Sequence, residues 1–353
     1  MDKLSRRTLL KGTGALALAG AASTRVIAAA PPASPITPEL IAAAKKEGQV
    51  RYYTSVDLAM AERIAKAFEA RFPGISIKVE RTGAERVFQR IGQEFSSRIH
   101  AVDVVNSSDA AHFIVWKRNG WLAPYVPEDV ARYYAAEHKD PDGQFAGFRL
   151  MLSVIGFNTT MVKPADAPKS HADLLDPNWK GKMVKGHPGY SGTIMTATQQ
   201  LVRDLGWLYF EKLAQQGIMQ VQSAADTPKK ISLGERAIQA DGNEYNLLLL
   251  KEQGQPVEPV YATEGTPQIV GPNGIFNNAP NPNAARLFQN WSFTAECQQL
   301  IVDVAALRSL HPQVKDKPGR KPLKDIKTLK EDAVAVEKQG DEIKSRYSKI
   351  FKV

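Results

Sequence analysis

One segment of the chain has residue types suited to holding an anion. A Pro/Gly turn that begins at His187 ends in Ser191, Gly192 and Thr193, and an unbroken helical pattern follows. Ser191 or Thr193 would cap that helix, and Gly192 leaves its backbone N–H open to close approach. Free N–H groups in a first turn, together with the positive end of the helix dipole, favour a bound anion. The same residues also fit an ordinary N-cap, so both interpretations stay open at this point.

Patterns of enzyme chemistry are weak in this sequence. The segment Gly189-Tyr190-Ser191-Gly192 misses the Gly-x-Ser-x-Gly nucleophile elbow by one position. There is no phosphate loop ending in Gly-Lys-Ser/Thr and no Gly-x-Gly-x-x-Gly. Asp241 and Glu244 could act as acid and base, but a lone carboxylate pair is weak support. Six histidines lie without metal-ligand spacing, at positions 100, 112, 138, 171, 187 and 311. We therefore expect a protein that is not an enzyme and needs no cofactor.

Length, charge and cysteine content limit the class of protein. A chain of 353 residues predicts about two domains. The formal net charge of +9 falls to +5 without the first thirty residues, which hold five Lys or Arg and one Asp. No basic stripe interleaved with aromatic residues appears, so we expect no nucleic-acid partner. Cys297 is the single cysteine and lies in an apolar helical pattern, which is typical of a small core residue.

The first thirty residues have the pattern of an export signal. Ser5-Arg6-Arg7-Thr8-Leu9-Leu10-Lys11 is similar to the twin-arginine motif, and a short Gly/Ala/Leu stretch follows it. Ala28-Ala29-Ala30 is the small-residue run that a signal peptidase cuts. These features predict a signal peptide at residues 1–30, removed near Ala30, and a mature protein in the periplasm.

The next part of the chain predicts a parallel sheet covered by helices. Three strands alternate with helices from Gln49 to Trp116, which is the β-α-β-α-β-α pattern. The predicted strands end in Thr54-Ser55, Thr82-Gly83 and Ser107-Ser108. Ligands of such sheets bind beyond the carboxyl ends of the strands. We therefore expect Ser55, Thr82, Ser107 and Ser108 to form one wall of a pocket.

Two long extended runs divide the rest of the chain. Residues 148–157 and 268–276 flank a complete second α/β unit, which indicates that the chain crosses between two lobes twice. We expect a discontinuous first lobe from residues 39–150 and 266–320, a second lobe from residues 151–265, and a C-terminal helical segment from residues 321–353. The last predicted helix, at about 327–349, has mixed charges, which is typical of a helix exposed to solvent.

Four segments, in this order, resemble type 2 periplasmic solute-binding proteins of ABC importers, in the branch that carries ferric iron, phosphonates, sugar phosphates, polyamines and thiamine. They are Ala42–Val50, Asp173–Lys182, the helix start at Tyr190–Thr193, and Thr263–Pro267. The resemblance implies an α/β fold of two lobes, each a sheet flanked by helices, with the ligand clamped in the cleft by hinge closure. It also implies a partner permease and ATPase in the inner membrane. We expect the receptor to be a monomer.

The resemblance also implies a set of ligand-binding residues. Ser191-Gly192-Thr193 matches the position where iron-carrying members hold a synergistic anion, and those members bind iron through a histidine, a glutamate and a tyrosine pair. Here no histidine follows Tyr53-Thr54-Ser55, Ser107-Ser108 stands at the aligned glutamate position, and Glu244-Tyr245 replaces the tyrosine pair. Ferric iron needs anionic oxygen ligands, and this is a thin set.

The sequence therefore favours a small solute with an oxyanion, such as a phosphonate, a phosphate ester or a carboxylate, and no bound metal. The alternative is a ferric iron carrier that uses Tyr245 and Glu244 with a synergistic anion, and a lower alternative is an exported enzyme on the same fold. The expected ligand-binding residues are Ser191, Gly192, Thr193, Ser55, Thr82, Ser107, Ser108, Asp241, Glu244 and Tyr245.

Overall fold

The computed structural model describes residues 30–353, so the predicted signal peptide lies outside the described residues apart from Ala30. The helices and strands follow in chain order as α1 (Pro38–Glu47), β1 (Gln49–Thr54), α2 (Leu58–Arg71), β2 (Ser76–Arg81), α3 (Ala84–Ser96), β3 (Val104–Asn106), α4 (Ala110–Arg118), β4 (Leu122–Ala123), α5 (Glu128–Tyr133), β5 (Phe145–Leu152), β6 (Ile155–Asn158), β7 (Met183–Gly186), α6 (Gly192–Leu205), α7 (Trp207–Ala214), β8 (Met219–Val221), α8 (Asp226–Ser232), β9 (Ile238–Gln239), α9 (Glu244–Glu252), β10 (Val257–Val260), β11 (Thr266–Phe276), α10 (Pro282–Ser292), α11 (Ala295–Ala305), β12 (Thr328–Leu329) and α12 (Ala333–Phe351).

The first sheet is built around β11. Its strand order is β12-β11-β3-β1-β2, and β4 and β5 also pair with β11. β1 is parallel to β2 and to β3, as the β-α-β-α-β-α pattern predicts, whereas β11 is antiparallel to β3, β4 and β5. The buried faces of α1, α2, α10 and α11 pack on one side of this sheet. Parallel pairing places the carboxyl ends of β1, β2 and β3 at one edge.

The second sheet contains five strands in the order β10-β6-β9-β7-β8. β7 is parallel to β8 and β9, and β6 is antiparallel to β9 and β10. Its core contains Met183, Phe210 and Tyr347, the last of which belongs to α12. The predicted apolar run at residues 148–157 is two strands, β5 and β6, in different sheets. The chain therefore passes from the first sheet to the second at Ser153-Val154 and returns before Thr266.

The last helix differs from its prediction. It begins at Ala333 rather than near residue 327, because Thr328 and Leu329 form the short strand β12 beside β11. Asp332 is the N-cap, and its side chain accepts a hydrogen bond from Ala335 N. α12 packs against α4 on the first lobe and against α6 and α7 on the second. The helix therefore packs against both lobes, whereas the sequence predicted only a solvent-exposed helix. No helix within residues 30–353 has the length and hydropathy of a membrane-spanning segment.

Candidate functional site

A polar cleft of about 350 Å³ lies between the two lobes, where the strand ends of the first sheet face the helix starts of the second. The first lobe lines it with Ser55, Arg81, Thr82, Gly83, Ala84, Arg86, Ser108, Arg149 and Met151. The second lobe lines it with Tyr190, Ser191, Thr193, Gln222, Ser223, Ala224, Ala225, Asp226, Asn243 and Tyr245. Six of the ten expected residues thus come together, namely Ser55, Thr82, Ser108, Ser191, Thr193 and Tyr245.

The first wall is organised by Ser55, the residue that follows β1. Its hydroxyl accepts a hydrogen bond from Ser108 N at 2.9 Å, and Arg149 Nη2 donates to the same oxygen at 3.3 Å. Thr82 is held beside it, because Thr82 N donates to Thr54 O at 3.2 Å. The ends of three parallel strands therefore present their hydroxyl groups to one space, as the position rule for α/β sheets predicts.

Arg149 is the most unusual residue of the cleft. It belongs to β5 and is only 1% exposed, and its Nε has no hydrogen-bond partner. Among the described residues it forms no ion pair with a carboxylate, although Tyr245 lies next to it. Burial lowers the pKa of the guanidinium, because a low-dielectric surrounding disfavours the charged form. A buried cation without a protein anion beside it is costly, and a bound anion would remove that cost.

The second wall is the turn that the sequence singled out. Ser191 is the N-cap of α6, and its hydroxyl accepts from Ile194 N at 3.5 Å. His187 holds the turn together, since its Nδ1 accepts from Gly189 N at 2.9 Å and its carbonyl accepts from Tyr190 N and Ser191 N. Burial lowers the pKa of His187. This histidine has a structural partner for its Nδ1 and does not line the cleft.

Gly192 is not among the residues that line the cleft, and a side chain at this position would meet the first lobe. A β-carbon at this position would lie 3.0 Å from the backbone oxygen of Ser108 and 2.7 Å from Cβ of Asp109. The absent side chain permits a close contact between the two lobes, and the anion contact of the Gly192 N–H stays a prediction. A second close contact joins Gly83 to the carbonyl of Tyr190. Arg86 Nη2 also donates to Gln222 Oε1 at 3.2 Å, so the lobes touch around the cleft.

Three other expected residues lie outside the cleft lining because each is held by a different partner. Ser107 hydrogen-bonds His112 Nδ1 at 3.1 Å and accepts from Asp109 N at 3.2 Å. Asp241 pairs with the buried Lys185 at 2.5 Å and accepts from Gly186 N at 2.9 Å, beneath the turn. The prediction that these side chains face the ligand is not supported by where they lie.

Glu244 is the third and is fully committed to an ion cluster. Arg308 donates to both of its carboxylate oxygens, at 3.0 and 2.7 Å, and Arg320 and Tyr261 donate to it as well. Burial opposes ionisation, but the hydrogen bond from Arg308 and the two cations lower the pKa of Glu244. Its neighbour Tyr245 points to the cleft, because consecutive residues at a helix start face different directions.

Sequence reasoning missed the basic residues of the site. Arg81 and Arg86 flank the predicted turn at Thr82-Gly83, and Arg149 is the lone charge in an apolar extended run. A single charged residue in an otherwise apolar run is the sequence feature that could have identified Arg149 as a candidate site residue. The lining holds three guanidinium groups and one carboxylate, Asp226, so the cleft has an excess of positive charge.

The cleft offers few ligands for a metal ion. Tyr245 is buried, which raises the pKa of its phenol, while Arg149 acts in the opposite direction. Asn243 Nδ2 lies 3.4 Å from the Tyr245 hydroxyl. Across residues 30–353, no three His, Cys, Asp or Glu side chains form a group that could hold a metal ion.

Two α/β lobes around a polar cleft define a two-lobed solute-binding protein, and comparisons with known proteins agree with this class. The sequence profile of the bacterial extracellular solute-binding proteins matches residues 102–329, and the chain belongs to that family. The family and its structural neighbours are type 2 periplasmic binding proteins of ABC importers, which bind small solutes and work with ABC permeases. The family and the two-lobed fold predicted from the sequence are confirmed.

Curated relatives are distant in sequence. An uncharacterized protein of Haemophilus influenzae is 26% identical over 273 residues, which cover 73% of this chain and 76% of that protein. A probable ABC transporter periplasmic-binding protein of Sinorhizobium fredii, y4fP, is 24% identical over 239 residues, covering 65% of this chain and 66% of that protein.

Solved structures share the fold. The periplasmic binding protein AfuA of Actinobacillus pleuropneumoniae, with fructose-6-phosphate bound, superposes with a TM-score of 0.79 at 22% identity. The superposition covers 87% of this chain and 99% of the AfuA chain. Iron-bound HitA of Pseudomonas aeruginosa has a TM-score of 0.74 at 22% identity and covers 86% of this chain and 99% of its own. At this level of identity the likeness establishes the architecture alone.

Proposed function

We propose that this protein is the periplasmic receptor of an ABC importer for a small solute that carries an oxyanion. The solute is a phosphate ester, a phosphonate or a carboxylate, which the receptor delivers unchanged to an inner-membrane permease and its ATPase. The observation that carries this proposal is Arg149, a buried guanidinium in the cleft without a carboxylate partner among the described residues.

The physical argument concerns the charge of the cleft. A phosphate or phosphonate dianion accepts paired hydrogen bonds from a guanidinium, and each charge-assisted bond contributes about 1.5–3 kcal/mol. Arg81 lies on the same wall as Arg149, and the hydroxyls of Ser55, Thr82 and Ser108 supply further donors. Ser191 and Thr193 approach from the second lobe. An anion bound between these walls joins the two lobes directly.

The remaining lining indicates a polar ligand body. Ala84, Met151, Ala224 and Ala225 are the aliphatic residues of the lining, while Gln222, Ser223 and Asn243 offer hydrogen bonds. A volume of about 350 Å³ lies at the small end of ligand sites in proteins. These features suit a hydroxylated phosphate ester or a comparable acid better than an apolar one. That AfuA was solved with fructose-6-phosphate agrees with this choice.

Movement of the two lobes supplies the binding step in this proposal. The first lobe would comprise residues 39–150 and 266–320, and the second lobe residues 151–265, with hinges near Ser153-Val154 and Gly265. Closure brings Ser191 and Thr193 against the anion held by Arg149, which is how a hinged receptor buries its ligand. We propose a monomer, since one chain supplies both walls.

Ferric iron is the second candidate, because Tyr245 lines the cleft and HitA is an iron-bound protein of the same fold. The donor set argues against it. Glu244 is held by Arg308 and Arg320, burial raises the pKa of Tyr245, and three arginines repel a cation. A synergistic anion would have to supply most of the iron ligands.

A thermal-shift panel on residues 31–353 tests the proposal. Fructose 6-phosphate, methylphosphonate, malate and ferric nitrilotriacetate are compared with fructose, which lacks the anion. A solute at about 100 times its Kd adds about 2.7 kcal/mol to the free energy of unfolding. Stabilisation by an anionic solute, and none by fructose, supports the proposal. Stabilisation by iron alone, with a visible absorption band that Tyr245→Phe removes, contradicts it.

The receptor role has its own test. The stabilising solute is incubated with the protein, released by denaturation and identified by mass spectrometry. Recovery of the intact solute in a one-to-one ratio supports a receptor. Conversion of the solute would instead identify an enzyme on this fold.

A further inference from the structure

Helix α12 contacts residues that adjoin both walls of the cleft. On the second lobe, the hydroxyl of Tyr347 donates to Gln220 Oε1 at 2.8 Å and lies 3.4 Å from Gly186 O. Ser348 Oγ lies 3.5 Å from His187 Nε2, and His187 holds the turn that presents Ser191. The C-terminal half of α12 is therefore attached to the anion-binding turn.

The first lobe is attached to the same helix by charges. Lys344 Nζ lies 3.1 Å from Glu85, which belongs to the first turn of α3 and precedes the cleft residue Arg86. Glu337 lies 2.8 Å from Arg118 at the end of α4. One helix thus contacts α3 and α4 of the first lobe and the Ser191 turn of the second lobe.

The two attachments differ in strength. Tyr347 is fully buried in the core of the second lobe, where it packs against Phe210 and under the ammonium of Lys185. Toward the first lobe, Val336 and Ile343 meet Ala111 beside Met195, and a cavity of about 190 Å³ remains between α12, α3 and α4. The apolar contact of α12 is more extensive on the second lobe, where Tyr347, Ile350 and Phe351 join the core, than on the first lobe, where Val336 and Ile343 meet Ala111 and the remaining contacts are partly exposed ion pairs. When the lobes separate, α12 therefore leaves the first lobe and stays with the second.

We propose that α12 is an interlobe clasp that favours the closed cleft, with Lys344 and Glu337 as the residues that grip the first lobe. The proposal rests on the proposed function only in that the cleft must open to admit a solute. Each ion pair adds to the free energy of opening, so the clasp sets how often the empty receptor opens. It acts on the walls of the site without touching the solute.

Charge reversal at Glu337 provides the sharpest test, because both partners of this pair can be exchanged. Glu337→Arg turns the attraction to Arg118 into repulsion, and Glu337→Arg combined with Arg118→Glu restores it. Glu342→Arg is the matched control, since it makes the same charge change on the exposed face of α12, where Glu342 has no ion-pair partner in the described chain. The unmodified protein and these three variants are measured without solute, by small-angle scattering and by hydrogen exchange of the peptides that cover α3, α4 and α12.

The expected result is a larger radius of gyration for Glu337→Arg and exchange of α3 and α4 amides about three- to tenfold faster than in the control. The double variant Glu337→Arg/Arg118→Glu should return both values to those of the unmodified protein. A concentration of 1 M salt should reduce the difference between Glu337→Arg and the control. Amides around Tyr347 should stay protected throughout. Lys344→Gln is a second variant that should act in the same direction by about two- to fivefold.

The clasp proposal would be overturned if Glu337→Arg and Glu342→Arg gave the same radius of gyration and the same exchange rates. It would also be overturned if the double variant Glu337→Arg/Arg118→Glu did not return to the values of the unmodified protein. These measurements contain no solute. A protein that passes this test but ignores every anion in the thermal-shift panel would refute the proposed function and keep the clasp. Stabilisation by an anion without any effect of Glu337→Arg would support the proposed function and refute the clasp.

Discussion

Gly271 of β11 lies directly opposite Arg149 of β5, and a β-carbon on Gly271 would lie 2.9 Å from the Arg149 Nε. The same β-carbon would lie 3.1 Å from the carbonyl oxygen of Ser107. The buried guanidinium therefore occupies space that a side chain on the neighbouring strand would take. The position of the charge depends on a residue that never contacts the cleft.

Gly271→Ala tests this relationship. The new methyl group should push the guanidinium away from Ser55 and weaken binding of an anionic solute by about tenfold, as expected for one lost charge-assisted hydrogen bond. Titration calorimetry with the anion identified in the thermal-shift panel gives the affinity. Gly92→Ala is the control, because a β-carbon there meets nothing within 4 Å and its helical position should gain about 0.5–1 kcal/mol. Unchanged affinity in Gly271→Ala would show that the guanidinium is not held by this packing.

Arg149→Met should separate binding from stability. Removing a buried charge that has no carboxylate partner should leave the free energy of unfolding of the empty protein unchanged or higher, by up to about 2 kcal/mol. Anion binding should fall below detection. Urea unfolding and calorimetry measure the two effects.

Arg308→Met is the matched comparison for Arg149→Met. This arginine is also buried, but it pairs with Glu244, so its loss leaves a buried carboxylate with one partner fewer and should cost about 3–5 kcal/mol. If Arg149→Met destabilised the empty protein as strongly as Arg308→Met does, Arg149 would be a structural residue.

Ser191→Ala distinguishes an anion site from a plain helix cap. If the hydroxyl holds the solute, the Kd should rise about tenfold to a hundredfold. A cap alone should cost about 0.5–2 kcal/mol of stability and leave the affinity unchanged. Thr294→Ala removes the N-cap of α11, which lies away from the cleft, and provides the stability change expected for a cap alone. A Ser191→Ala protein that resembles Thr294→Ala in both measurements would remove Ser191 from the site.

Glu331 predicts a pH dependence of stability. Its Oε2 accepts from Val270 N at 2.7 Å, while its Oε1 is enclosed without a partner. Burial raises the pKa of this carboxyl to about 8, and Asp109 and Asp332 add to the shift. Because the folded pKa lies above the unfolded one, the stability from this group is complete below about pH 4.5 and is lost as the pH rises towards 8.

Glu331→Gln keeps the acceptor for Val270 N and removes the titration. The variant should therefore gain stability over the unmodified protein between pH 5 and pH 8, by about 1–3 kcal/mol, in urea unfolding at both pH values. Histidines whose pKa is lowered by burial act in the opposite direction but are common to both proteins, namely His138, His171, His187 and His311. A difference that does not change with pH would mean that Glu331 is ionised in the folded protein.

Periodicity predicted most of the elements, because apolar spacing depends on local geometry. β1 occupies residues 49–54 as expected, and α6 follows the Ser191 turn. Polar strand ends also predicted where Ser55, Thr82 and Ser108 meet. The direction of individual side chains was beyond this reasoning. Glu244 and Tyr245 are neighbours in the chain, yet one joins Arg308 and the other enters the cleft.

The electrostatics of the site could not be predicted for a related reason. Arg149 lies in β5, and its space is provided by Gly271, which is distant in sequence. Asp241 pairs with Lys185 only because β7 and β9 are adjacent strands. Such pairings depend on sheet register over long separations, which a single sequence does not reveal.

The place of β11 in the first sheet has a consequence for biosynthesis. β3 pairs with β1 on one edge and with β11 on the other, but a whole second lobe is translated between them. At about 5–20 residues per second, roughly 10–30 s pass between Asn106 and Phe276 leaving the ribosome's catalytic centre. During that interval the nascent first lobe has an unpaired strand edge open to wrong pairing. The second lobe also waits for a later segment, because Tyr347 of α12 belongs to its core. We therefore expect neither lobe to fold to completion until synthesis has passed β11.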